Sequence, residues 1–238
     1  MMKTIDETKL IGLLAGKDWR AIGIYSEILN RAAEERTKGK HSARILAYSI
    51  DYNAIENLPV EAEHQIPFIL GEEIDFFLTK GPDCLIVCSI AMHETLDRAW
   101  NAKTEIPLFH AGHVAAEEAQ NQGRKNVLLL GSEFTMTNGF YARYFQDRGI
   151  NVVIPCPEDI VTLQNIQSNV ARGNMTAAYK LATTQIIGRY SKADAVILAS
   201  TELPMVIGAE DSPALPLINP VECQCREAAA FAFGGGQA

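Results

Sequence analysis

Two serines stand at matched positions, one in each half of the chain. Residues 83–89 read DCLIVCS and end at Ser89, and residues 194–200 read DAVILAS and end at Ser200. Short apolar segments bounded by polar residues are typical of strands buried on both faces of a parallel sheet. Ligands of open α/β sheets bind beyond the carboxyl ends of such strands. The two serines are therefore the first candidates for reacting groups, facing each other across a cleft between two similar halves.

Each serine also has a structural interpretation as a helix N-cap, which contributes about 1 kcal/mol. A catalytic serine is normally activated by an adjacent base, and no partner for Ser200 stands out in the sequence. His93 follows Ser89 by four residues and could approach it on a first helical turn. Cys88 directly precedes Ser89, and because neighbours on a strand point to opposite faces, we expect its thiol to point away from the cleft.

Two further predicted strands end in glycine, at Gly16 and at Gly131. Together with the loops after the two serines, these loops offer main-chain N–H groups near helix N-termini, where anions bind. Neither glycine loop continues into Gly-Lys-Ser/Thr, which argues against a nucleoside triphosphate site. The chain has no G-x-S-x-G elbow, which argues against an α/β-hydrolase.

Strand, loop and helix alternate along the chain, as in parallel βαβ units. The pattern restarts near residue 106, which predicts two pseudo-symmetric α/β domains: residues 1–105 with 209–238, and residues 106–208. The predicted strands are 11–15, 45–50, 83–89, 107–110, 127–131, 151–154 and 194–200. The predicted helices are 18–35, one ending over 73–79, 92–100, 114–122, 140–148, 174–190 and 226–233.

Composition limits the classes of partner. The formal charge of −8 argues against nucleic acid and anionic membrane, and no apolar segment reaches the roughly 18–20 residues of a bilayer span. An odd number of cysteines without framework spacing indicates reduced thiols and a cytoplasmic protein. Their spacing lacks paired C-x₂-C knuckles, so we predict no metal site. The cysteines are Cys84, Cys88, Cys156, Cys223 and Cys225.

Five segments together resemble the aspartate/glutamate racemase family over nearly the whole chain. They are IGLLAGKDW (11–19), HSARILAYSIDY (41–52), AMH (91–93), GSEFTM (131–136) and STELP (200–204). The resemblance implies two α/β domains with parallel sheets, an active site in the interdomain cleft, no cofactor and a homodimer. Members of this family invert the α-carbon of acidic amino acids: one cysteine thiolate removes a proton while a second thiol delivers one from the opposite face.

The resemblance assigns the catalytic positions to Ser89 and Ser200, where the family has cysteines. The family pattern Cys-Asn-Thr-x-His is here Ser-Ile-Ala-Met-His (89–93), and Gly-Cys-Thr-Glu is Ala-Ser-Thr-Glu (199–202). A cysteine has a reference pKa near 8.5, and a serine hydroxyl is far less acidic. The scaffold is thus retained while the acid–base pair is altered.

The same resemblance suggests substrate-binding residues. Thr135 and Thr201 offer hydroxyl and N–H groups for carboxylates, and Ala91 takes the position of the family threonine. Lys17 and Arg172 offer positive charge for a second carboxylate, and Arg172 stands near the place where family members have a substrate-binding lysine.

We therefore predict a cofactor-independent, racemase-type isomerase that acts on a small amino acid or dicarboxylate. Two alternatives stay open: a non-racemising homologue that binds such a molecule, and a redirected lyase, decarboxylase or hydrolase that uses one activated residue. Loss of both expected cysteines favours the first alternative, because two-sided proton transfer needs two competent groups.

Overall fold

The computed structural model describes residues 8–100, 105–211 and 215–234. The chain divides into two compact units. The first consists of residues 1–111 and 224–238, and the second of residues 112–223. Each unit contains one parallel sheet with helices, which confirms the α/β class.

The first unit is built on a three-stranded parallel sheet. Its strands are β1 (Ile11–Ala15), β2 (Ile45–Ser49) and β3 (Cys84–Val87), in the order β2-β1-β3. All residues of β1 and β3 are buried, which explains their continuous apolar sequence. The predicted strand at 107–110 contributes a single parallel bridge, from Leu108 to Leu85 of β3.

Helices of the first unit pack their apolar stripes against this sheet. In α1 the residues Ala21, Tyr25, Leu29 and Ala33 are buried and recur every four positions, so they form one face of the helix. The helices are α1 (Ala21–Thr37), α2 (Tyr52–Glu56), α3 (Ile66–Leu78) and α4 (His93–Ala99), with a 3-10 helix at Val60–Gln65.

The second unit has a four-stranded parallel sheet in the order β5-β4-β6-β7. Its strands are β4 (Asn126–Gly131), β5 (Asn151–Val153), β6 (Ala195–Ala199) and β7 (Leu217–Ile218). The remaining helices are α5 (Ala111–Asn121), α6 (Glu133–Thr137), α7 (Phe140–Gln146), α8 (Pro157–Ala171), α9 (Ala177–Arg189), α10 (Leu203–Val206) and α11 (Pro220–Phe233), with a 3-10 turn at Ala209–Asp211.

The two units share one strand plan, since β2-β1-β3 and β5-β4-β6 have the same order and direction. Sequence periodicity missed α8 altogether and started α11 six residues late, at 226 instead of Pro220. It also started α9 too early, because Thr176 is the extended N-cap residue of that helix. None of the helices in the described segments is both long and apolar enough to cross a membrane.

Candidate functional site

The predicted site loops share one sheet edge within each unit. In the second unit β4 and β6 are neighbours, with Gly131 paired to Ala199, so the loop after β4 lies beside Ser200. In the first unit β1 and β3 are neighbours, so Lys17 and Ser89 follow adjacent strand ends. The topology therefore places each set of loops at a carboxyl edge, where ligands of parallel sheets bind.

Ser200 is held by a carboxylate. Its hydroxyl donates to Glu202 Oε2 over 2.6 Å, and its Oγ accepts the main-chain N–H groups of Glu202 (3.1 Å) and Leu203 (3.3 Å). The Thr201 hydroxyl donates to the other carboxylate oxygen, Oε1, over 3.0 Å. Ser200 is only 5% exposed. Sequence reasoning found no partner for Ser200, although an acidic residue two positions after a serine in a tight turn was the available signal.

Thr135 lies on the neighbouring loop and is buried. Ser132 caps α6 by accepting the Thr135 main-chain N–H (3.2 Å), and the two hydroxyls are 2.9 Å apart. A Cβ atom added to Gly131 would lie 2.6 Å from the Ala199 carbonyl oxygen and 3.2 Å from Thr135 Cβ. Glycine is thus required at 131, because the two strand ends approach too closely for any side chain.

Arg172 is exposed and ends the helix that supports this loop. Gln167 of α8 donates to the Gly131 carbonyl over 2.7 Å, and Gln164 accepts the Glu133 main-chain N–H over 3.0 Å. Arg172 is the C-terminal cap residue of the same helix. The second unit therefore brings Thr135 and Ser200 to adjoining loops of one sheet edge, and Arg172 follows five residues after the helix contact with Gly131.

His93 forms a hydrogen bond to the main chain of Ser89 and none to the Ser89 hydroxyl. His93 Nε2 accepts the Ala111 N–H over 3.1 Å, so the ring proton is on Nδ1, which donates to the Ser89 carbonyl over 2.7 Å. Burial lowers the pKa of His93 well below its usual value, and the adjacent His110 ring adds to this effect. Both nitrogens are in use, so His93 has no free nitrogen to accept the Ser89 hydroxyl proton. Within the described residues, the Ser89 hydroxyl makes no hydrogen bond. Ala91, two residues after Ser89, is half-buried.

Lys17 forms an ion pair at the end of β1. Its Nζ lies 2.5 and 2.7 Å from the two carboxylate oxygens of Glu56, and both side chains are partly exposed. Because of this ion pair, the positive charge of Lys17 is partly neutralised by Glu56. The preceding residue, Gly16, is tightly packed, since an added Cβ there would lie 2.6 Å from Ile50 Cγ1.

Four of the five cysteines are buried. Burial raises the pKa of Cys88 well above its usual value, with Cys225 as a second cause, and burial raises the pKa of Cys84 to about 12. Cys156 is exposed. Among residues 8–100, 105–211 and 215–234 no three His, Cys, Asp or Glu side chains group as a metal site requires.

Comparison with known proteins agrees with this architecture. The chain belongs to the Asp/Glu/hydantoin racemase family, whose model matches residues 21–228. A structure from Yersinia pestis, described as a candidate Asp/Glu racemase, is 26% identical with a TM-score of 0.83, covering 94% of this chain and 99% of its own.

Two more distant structures show the same fold. An aspartate racemase homologue from Pyrococcus horikoshii is 23% identical with a TM-score of 0.80, over 94% of this chain and 99% of its own. An aspartate racemase from Picrophilus torridus is 23% identical with a TM-score of 0.75, over 94% of each chain. The fold predicted from the resemblance is thus confirmed.

Proposed function

We propose that this protein is a cofactor-independent isomerase of the amino-acid racemase type. It moves a proton at the α-carbon of a small amino acid or dicarboxylate, with Ser89 and Ser200 at the two catalytic positions. The observation that supports this most is the 2.6 Å hydrogen bond from Ser200 to Glu202 at the carboxyl end of β6. That bond supplies what a serine needs in place of a thiolate, namely an adjacent base.

The substrate carboxylates are bound in this proposal by the groups that share the two sheet edges. Thr135 binds the α-carboxylate through its hydroxyl and Thr201 through its main-chain N–H, because the Thr135 N–H is bonded to Ser132 and the Thr201 hydroxyl to Glu202. The Ala91 main chain contributes beside Ser89. Arg172 and Lys17 receive a second carboxylate, for which Lys17 must exchange Glu56 for the substrate. Membership of the family supports small amino acids as substrates, and we further expect a cytoplasmic homodimer.

One observation favours the alternative of a non-racemising homologue. Ser89 has no bonded base in the described structure, whereas a two-sided inversion needs a competent group on each side. A protein with one activated serine would bind the substrate and exchange its proton on one face, or bind it without chemistry.

The deciding experiment follows the α-proton by ¹H NMR in D₂O. L- and D-aspartate and L- and D-glutamate are each incubated with the wild type. The double variant Ser89→Ala, Ser200→Ala is the matched inactive control. We expect loss of the α-proton signal with the wild type alone. Thermal stabilisation by a substrate without any exchange would refute the isomerase and support the binding protein.

A second variant tests whether the two serines or the residues beside Ser89 limit the reaction. In Ser89→Cys with Ser200→Cys the family pair is restored. We expect faster inversion than in the wild type, because a thiol is a stronger acid than a hydroxyl and each unit of pKa corresponds to about 1.4 kcal/mol. No gain would indicate that Ile90 and Ala91, which are less polar than the family residues, limit the reaction.

A further inference from the structure

We propose that the Glu202 carboxylate is the proton-transfer group of this site and acts through the hydroxyl of Ser200. We also propose that this Ser200–Glu202 pair works on one side only, without an equivalent at Ser89. The inference rests on the proposed function and identifies its acid–base machinery.

The hydrogen-bond pattern around Ser200 fixes the direction of its hydroxyl. The main-chain N–H groups of Glu202 and Leu203 point to the Ser200 Oγ lone pairs, so its single proton is left for Glu202 Oε2 at 2.6 Å. Oxygen–oxygen distances of 2.5–2.7 Å are typical of charge-assisted bonds to a carboxylate. The pair is therefore organised before any substrate arrives.

A capping role does not account for the position of Glu202. A glutamate that caps a helix accepts a main-chain N–H group. In the described part of the chain, the Glu202 carboxylate accepts two hydroxyls instead, from Ser200 and Thr201. The capping is already done by Ser200 Oγ. The carboxylate thus has its two oxygens engaged by the two side chains that precede it in the loop.

The proposed step is balanced without a cofactor. The substrate Cα–H bond breaks and its proton goes to Ser200 Oγ, which releases the longer of its two main-chain hydrogen bonds, the 3.3 Å bond from Leu203. In the same step the Ser200 proton moves to Glu202 Oε2. The electron pair of the broken bond goes into the substrate carboxylate as an enediolate. The reverse transfer returns a proton from Glu202 to the carbon through the same hydroxyl.

The two sides of the site differ in this respect. His93, which is bonded to the main chain of Ser89, donates to the Ser89 carbonyl and accepts from Ala111, and it makes no hydrogen bond to the Ser89 hydroxyl. One competent pair predicts that the enzyme exchanges the α-proton of one enantiomer for deuterium faster than it inverts the centre. Two equivalent pairs would couple exchange to inversion.

The main test compares Glu202→Gln with Glu117→Gln, a matched loss of charge on the exposed face of α5. We expect Glu202→Gln to lower kcat for exchange by about 10²–10⁴-fold, the usual contribution of an acid–base group, with KM nearly unchanged. Glu117→Gln should stay within about twofold of the wild type. Because the pair acts as a unit, Ser200→Ala should cost as much, and adding Glu202→Gln to it should cost nothing more.

The Glu202 assignment and the one-sided role would be contradicted by different results. Additive losses in the double variant, or a Glu202→Gln effect on KM alone, would overturn the assignment. Inversion as fast as exchange in the wild type would overturn the one-sided role.

A second readout does not depend on the natural substrate. A small fluorophosphonate forms an Oγ–P bond with an activated serine, releases fluoride and passes the hydroxyl proton to the base. We expect labelling of Ser200 in the wild type and Glu117→Gln, at least tenfold slower labelling in Glu202→Gln, and none at Ser89. If no amino acid is exchanged but Ser200 is labelled in this pattern, the proposed function fails and the pair stands. Equal labelling of wild type and Glu202→Gln refutes the pair, and labelling of Ser89 refutes its one-sidedness.

Discussion

His93 connects the end of β3 to the start of α5, and His93→Phe should remove that connection at little cost in volume. The ring of His93 is fully buried and bonds to the Ser89 carbonyl and the Ala111 N–H. Phenylalanine removes both hydrogen bonds, and the loss of such a bond to a buried main-chain group costs about 1–3 kcal/mol. We therefore expect the free energy of unfolding at pH 7.5 to fall by about 2–6 kcal/mol.

The size of this loss should depend on pH. Burial lowers the pKa of His93 in the folded protein well below the 6.5 of the unfolded chain. Above about pH 6.5 the histidine is neutral in both states, and its contribution is complete. Below pH 6.5 the unfolded chain binds a proton that the folded protein excludes, because Nε2 must stay free to accept the Ala111 N–H. Wild-type stability therefore falls on this account by up to about 1.4 kcal/mol per pH unit.

Urea unfolding at pH 7.5 and pH 5.5 measures both effects. The difference between wild type and His93→Phe should shrink by about 1.4 kcal/mol at the lower pH, one unit below 6.5. Asp97 and His110 face His93 and are present in both proteins, so the difference mainly isolates His93. His41→Gln, at an exposed histidine, is the matched control and should change stability by less than about 0.5 kcal/mol at either pH. A difference that is equal at the two pH values would refute the buried neutral histidine.

Three further predictions concern the loops and the thiols. Gly131→Ala should lower the free energy of unfolding by about 1–3 kcal/mol in a urea titration, because its Cβ meets the main chain of Ala199; unchanged stability would show that the strand ends can separate. Glu56→Gln should lower KM for an acidic substrate by up to about fivefold, since an exposed ion pair with Lys17 contributes at most about 1 kcal/mol; a raised KM would assign Glu56 itself to binding. A thiol reagent at pH 8 should modify Cys156 alone in the native protein and all five cysteines after denaturation; rapid modification of a second thiol would contradict the burial of the others.

Sequence patterns predicted the buried strands because continuous apolar segments have few alternatives. Residues 11–15 and 127–131 are strands within one residue of prediction, and both are enclosed by helices. The helix α8 was missed although Pro157 at its first turn and the acidic residues Glu158 and Asp159 are recognised start signals. Its apolar positions lie among polar and β-branched residues, so periodicity alone gave a weak indication.

The sequence predicted that the candidate serines follow strand ends, and it did not predict their hydrogen bonds. Strand ends located Ser89 and Ser200, since parallel strands present their carboxyl ends at one edge. The bond from Ser200 to Glu202 depends on the tight turn after β6, and no propensity predicts side-chain direction within such a turn. The role of His93 depends on Ala111, eighteen residues away, which joins the ring only through the folded sheet edge. Whether the assigned site residues bind substrate stays a prediction.

The two serines show why matched sequence does not imply matched chemistry. Each follows a buried apolar strand and each is assigned by the sequence resemblance to a position where the family has a cysteine, yet their surroundings differ two residues further along the chain. Two residues after Ser200 is Glu202, whose carboxylate accepts a hydrogen bond from the serine hydroxyl. Two residues after Ser89 is Ala91, which has no polar side chain. The histidine that follows Ser89 serves the main chain instead. A cysteine thiol is acidic enough to react at either position, but a serine hydroxyl needs a neighbouring base to accept its proton. Under the proposed function, hydroxyls at both positions therefore favour proton transfer at Ser200 over proton transfer at Ser89.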